Sequence, residues 1–115
     1  MTVGDVQNVF TTTMASYPVM QTASPTTGQT VVCQATASDI MLYLTPAGTL
    51  ATLTISLPAE GSSSLGQKVF ICSRQTITAL TVNGATTVLN AADTLIANET
   101  FTMAKVAANT WVRLQ

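Results

Sequence analysis

From Thr30 onward, apolar residues recur in short runs cut by Gly, Pro, Asn and Ser-containing breakers. Thr49 to Leu57 alternates: Ala51, Leu53, Ile55 and Leu57 fall on one parity, Thr52, Thr54 and Ser56 on the other. A period of two places the first set on the buried face of a strand. Thr100 to Val106 repeats the pattern, with Phe101, Met103 and Lys105 set against Thr102, Ala104 and Val106. Ile40–Thr45 and Gln67–Ser73 are apolar at both parities, which predicts central strands buried on both faces. Thr30–Ala35 and Trp111–Leu114 read as further strands, the last carrying the single tryptophan, and Thr94–Ile96 as a short strand or turn. Asn83-Gly84, between Leu80-Thr81-Val82 and Thr86-Thr87-Val88, predicts a two-residue hairpin, because such a turn needs positive φ at both centres. Pro46-Ala47-Gly48 turns the chain, and Pro58 to Ser64 has the composition of a flexible loop. The count is about eight or nine strands at spacings of about 8–12 residues, with no convincing helix. The expected class is all-β, an antiparallel β-sandwich or jelly-roll-like domain over residues 30–115.

Residues 1–29 differ in character. Pro18, Pro25 and the Thr11-Thr12-Thr13 run disfavour a long helix, since proline cannot donate and β-branched residues lose rotamer freedom. Scattered large apolar residues are too many for an inert linker. The expectation is an extended N-terminal arm that docks on its own core or on a neighbouring subunit. Phe10, Met14, Tyr17 and Met20 are its candidate interface anchors.

Composition sharpens the picture. The chain has 115 residues, 47% hydrophobic but only 8% charged, with a net charge of −1. Soluble domains usually carry about 25% charged residues. So little charge, on a chain long enough to bury a core, suits a protein whose faces are covered by copies of itself or by a partner. Lys68, Arg74, Lys105 and Arg113 are scattered singly. A nucleic-acid surface needs clustered basic groups, so no nucleic-acid partner is expected. Apolar runs are far shorter than the roughly 20 residues of a membrane helix, and MTVGDVQNVF lacks the secretory pattern, so no membrane partner is expected.

Candidate chemistry is sparse. There is no histidine, and Asp39, Glu60, Asp93 and Glu99 each lie alone beside a turn. The expectation is no enzyme, no catalytic residues, no cofactor and no metal. Cys33 and Cys72 cannot by themselves make a four-ligand zinc site; they read as buried free thiols inside strands, with a disulfide between them as the alternative. Trp111 and Phe101 read as core anchors rather than sugar-stacking platforms.

One stretch has a wider likeness. Thr45-Pro46-Ala47-Gly48-Thr49-Leu50, Leu57-Pro58, Gly66-Gln67-Lys68-Val69, Thr78 to Gly84, Phe101-Thr102-Met103 and Asn109 to Leu114 resemble a β-module of tailed-phage virion proteins. That module recurs in head-decoration (cement) proteins, head fibres and tail-fibre segments, usually as trimers of β-sandwich or jelly-roll subunits. The resemblance implies a structural virion protein that stabilises a phage capsid by binding its outer surface as a homotrimer. Its partners would be itself and the major capsid protein, and its location the capsid surface of a virion assembled in the bacterial cytoplasm. One compact module plus an arm suits that role better than a long tail fibre. The alternative is a head-fibre or tail-fibre module binding a host receptor or glycan.

Overall fold

The computed structural model describes residues 17–115. Among these the chain is all-β, with nine strands and one short 3-10 turn, Glu60–Ser62. The strands are β1 (Val19–Ala23), β2 (Thr30–Val32), β3 (Ile40–Leu44), β4 (Leu50–Ser56), β5 (Lys68–Ser73), β6 (Ile77–Asn83), β7 (Thr87–Leu89), β8 (Thr100–Ala107) and β9 (Thr110–Arg113). They form a six-stranded sheet, β1-β3-β5-β8-β9-β7, and a three-stranded sheet, β2-β4-β6. Among the described residues no helix is long and apolar enough to cross a membrane.

Most pairings are parallel, contrary to the antiparallel expectation. β1–β3–β5, β2–β4–β6 and β7–β9 all pair in parallel, and only β5–β8 and β8–β9 are antiparallel. The cause is the direction in which the corners send the chain. Each of the first six strands is followed by a turn into the opposite sheet, so strand neighbours within a sheet are two apart in sequence and run the same way. The chain winds as a short coil of three turns, then β8 and β9 close the larger sheet. Period-two patterning fixes which side chains face inward and is silent on strand direction.

The Asn83-Gly84 hairpin is likewise replaced by a corner. β6 and β7 lie in different sheets, and Gly84 turns between them at φ +101. The tight hairpin falls instead at Ala108-Asn109, where β8 meets β9 and Asn109 takes φ +50. β4 departs from strict alternation: Leu50 is buried, whereas Ala51 is exposed with Thr52. β6 makes the same step at Thr78-Ala79, between buried Ile77 and Leu80. Because adjacent strands share the irregularity, Leu50↔Ile77 and Leu53↔Leu80 stay aligned.

Ile40, Leu42, Leu44, Val69, Ile71 and Met103 of the larger sheet are fully enclosed and belong to one apolar cluster with Leu53, Ile55 and Ile77 of the smaller. Phe101 and Trp111 complete it, buried as the sequence suggests. Residues 19–29, read as arm, form β1 and the turn into β2. Val19 N–H donates to Asp39 O at 2.7 Å and extends the β1–β3 ladder.

Candidate interaction surface

β3 and β5 are central strands with apolar residues at both parities, and only one parity meets the core. The other parity faces outward. Pairing aligns Met20, Met41, Phe70 and Thr102 across four strands in one row. The adjacent row is Thr22, Tyr43, Cys72 and Thr100. Ala104, Val112 and Leu89 continue the face across β8, β9 and β7. Met20 is 57% exposed, Met41 38%, Leu89 47% and Leu114 51%. A hollow of about 240 Å³ lies between Met41, Phe70, Cys72, Thr100 and Thr102. A second, of about 200 Å³, adjoins it at Phe70 and Thr102 and reaches Lys68 and Leu114. Among the strand residues on this outer face Lys68 is charged and none is acidic. Contiguous exposed apolar surface of this kind marks association sites.

The outer face of the smaller sheet is different. Thr30, Thr54 and Thr81 stand in register, flanked by Val32–Ser56–Asn83 and Thr52–Ala79. It is rich in threonine, exposes Val32, and carries no charged strand residue.

Of the anchors expected from sequence, Phe10 and Met14 lie outside the described residues. Tyr17 is 75% exposed; it lines a hollow with Pro18, Ala37, Ser38 and Asp39 at the start of β1. Met20 lies in the apolar row. Met41, Phe70 and Leu114 were missed, although the double-parity runs around the first two carried the signal. Such a run reads as a strand covered on both sides, and here the second cover is absent from the described residues.

The loop after β4, flexible by composition, is tied down by polar contacts. Gln67, 2% exposed, donates from Nε2 to Thr36 O (2.8 Å) and Ser38 O (2.7 Å) and accepts from Ser64 N–H. Lys105 points inward, as the alternation of β8 requires, and its side chain is 4% exposed. Its Nζ reaches Glu60 Oε1 and Ser63 Oγ, both at 2.7 Å. An enclosed ammonium needs such a partner, because its hydration is lost. Serine beside lysine invites comparison with a nucleophile–base pair. Here the ammonium donates to the hydroxyl and is ion-paired to a carboxylate, the arrangement of an anchor rather than of a base.

The Lys105 hydrogen bond, followed by that from Asn109 N–H (3.0 Å), holds the Glu60 carboxyl below its ordinary value of 4.5. A lowered folded-state value stabilises the protein above the ordinary one, and this contribution is lost as pH falls through the lowered one. The wild-type Tm is therefore expected to exceed that of Glu60→Gln at pH 7. The two should converge in acid well below pH 4.5. Glu60 is 43% exposed, so screening keeps the difference to a few degrees, roughly. Parallel Tm–pH curves for the two proteins would contradict the assignment.

The cysteines are free and lie in different environments. Cys33 is in the core, where burial pushes its thiol up to about 12. Cys72 lines the outer hollow beside Phe70. At the rim of the same face Arg74 donates to Tyr43 Oη (3.1 Å) and Asn98 Oδ1 (3.0 Å). Among the described residues no three His, Cys, Asp or Glu side chains come together as a metal-binding group. Comparison of the chain with protein-family models, curated proteins and solved structures gave no match.

Proposed function

We propose that this chain is a structural subunit of a phage virion, a homotrimeric cement protein seated on the outer surface of the capsid. One observation carries the reading: a sheet face of Met20, Met41, Phe70 and Leu114 is open among the described residues, on a chain with only 8% charged residues. The phage-module resemblance over Thr45–Leu114 supports it independently of any geometry. A jelly-roll or sandwich affiliation belongs to the proposal: two β-layers offer two outer faces, although the coiled parallel winding is not a jelly roll's. In the proposed role the apolar face joins subunits, while the Thr-rich face or the arm meets the shell.

The mechanism is mass action. A protein that binds only the assembled shell stabilises it by its binding free energy, summed over many sites. Threefold symmetry multiplies weak contacts through effective concentration. Light scattering should give a trimer, and the purified protein should bind undecorated capsids and raise their temperature of disruption. Phe70→Asp should dissociate the trimer while leaving the subunit folded. A monodisperse monomer that ignores capsids would overturn the proposal.

The second reading, a fibre module recognising a host receptor or glycan, draws on the Tyr43–Arg74–Asn98 cluster, an aromatic ring beside hydrogen-bonding groups. It is favoured instead if the isolated protein binds host cells or their surface polysaccharide and Arg74→Ala abolishes that binding.

A further inference from the structure

At the corner that replaces the expected hairpin, Gly84 alone takes a positive φ, while Asn83 ends β6 with an ordinary negative one. The turn therefore does not require asparagine at this position. Asn83 is exposed, and neither its side-chain amide nor the Gly84 N–H has a hydrogen-bond partner among the described residues. We propose that this pair is a site of spontaneous covalent modification, in which the Gly84 nitrogen closes on the Asn83 side chain and the residue becomes aspartate or isoaspartate.

The step balances with water alone. Water or hydroxide takes the Gly84 amide proton as the nitrogen attacks Asn83 Cγ. A new C–N bond forms, the Cγ–Nδ2 bond breaks, and the side-chain nitrogen leaves as ammonia, giving a cyclic succinimide. Water then opens the ring. Cleavage between Cγ and the Gly84 nitrogen gives aspartate on the original main chain. Cleavage at the main-chain carbonyl gives isoaspartate, with the chain rerouted through Cβ and Cγ.

The corner supplies what this chemistry needs. Glycine leaves its nitrogen unshielded, and the packing holds glycine there, since a Cβ at position 84 would stand 2.7 Å from Leu57 N and O. Ring closure requires Asn83 to rotate out of its extended conformation. That breaks one ladder bond, Leu57 N–H to Asn83 O at 2.8 Å, at a strand end, where local opening is easiest. The other described asparagines lack this combination. Asn98 Oδ1 is held by Arg74 Nε at 3.0 Å, and Asn90, Asn98 and Asn109 precede Ala91, Glu99 and Thr110, whose side chains shield the following nitrogen.

The products change the smaller sheet in two ways. Asn83 stands in the row with Ser56 and Val32, so either product puts a carboxylate on a face without a charged strand residue. Isoaspartate also adds a backbone atom before Gly84. The carbonyl that met Leu57 N–H is then displaced, and the corner loses its fit.

Ageing the purified full-length protein at mildly alkaline pH, followed by peptide mapping that separates aspartate from isoaspartate, tests the proposal. Asn83 of the folded protein should convert at least ~10-fold faster than Asn90, Asn98 or Asn109, and faster in alkaline than in acidic buffer. Equal rates at the four sites overturn the proposal, as does an Asn83 that stays intact when folded and converts only in urea. The isoaspartate fraction should melt at least ~4 °C below fresh protein. Asn83→Asp, which adds the charge without the extra backbone atom, should melt close to wild type, and Asn83→Gln should keep its Tm on ageing. An isoaspartate fraction that melts with Asn83→Asp overturns the effect on the corner. None of these readouts involves a capsid or the oligomeric state, so the result stands or falls apart from the cement role.

Discussion

Replacing Gly84 by alanine is expected to cost at least ~3 kcal/mol and to lower Tm by on the order of 10 °C or more. Two independent effects combine. Gly84 holds φ +101, a backbone conformation that costs an L-residue on the order of 1–3 kcal/mol. In addition, an alanine Cβ would stand 2.7 Å from both the N and the O of Leu57 and 3.0 Å from Ser56 Oγ. Leu57 has little room to retreat, because its N–H donates to Asn83 O at 2.8 Å and its side chain is 2% exposed in the core. Two controls separate the effects. Gly66 has φ +84 with open space where a Cβ would go, so Gly66→Ala should show strain alone, about 1 kcal/mol. Gly48 has neither feature, and Gly48→Ala should leave Tm nearly unchanged. Thermal melts of the three variants test the ordering. If Gly84→Ala melted with Gly48→Ala, the corner between β6 and β7 would be wrong.

Trp111→Ala is the second large effect, an expected loss of about 3–5 kcal/mol. The indole is 1% exposed and stands between Lys105 on β8 and Val88 on β7 in the pairing of the larger sheet. Removing it leaves a cavity in the core and weakens the attachment of β7, whose ladder partner is β9. Against a usual total of about 5–15 kcal/mol, that is enough to leave the domain marginal. Urea unfolding followed by far-UV circular dichroism gives the change directly, and Trp111→Phe should recover much of the loss. A cost under ~1 kcal/mol would mean that β9 does not close the core.

Much of the fold was legible in the chain. The strands at Ile40, Leu50, Lys68, Thr100 and Thr110 begin within a residue or two of where alternation and breakers place them, because burial on one side of a pleated strand imposes a period of two. Asn98 and Asn109, in the Ala-Asn breakers on either side of β8, take positive φ, which asparagine tolerates better than most residues. The shared step at Ala51 and Thr78-Ala79 was not legible. It depends on two strands being irregular together, and a single segment cannot show that.

The candidate site divides the same way. Composition alone pointed to association, since a nearly uncharged surface has to be covered or be tolerated in water. Which face is apolar could not be read, because residues of one parity in β3 and β5 look alike whether they meet a core or solvent. Only the register brings Met20, Met41 and Phe70 into one row. Lys105 shows the same gap: alternation pointed it inward, and the loop after β4, forty-odd residues earlier, supplies its carboxylate.

The sequence by itself determined that this protein is all-β, where most strands lie, which side chains of β8 face inward, and that little charge is available to keep its surfaces apart. These are local properties, set by period, propensity and composition. The tertiary structure decided strand direction, the two-sheet coil, the corner at Gly84 and the open apolar face. Each of those depends on which strand lies beside which, a relation between residues distant in the chain that no local pattern encodes.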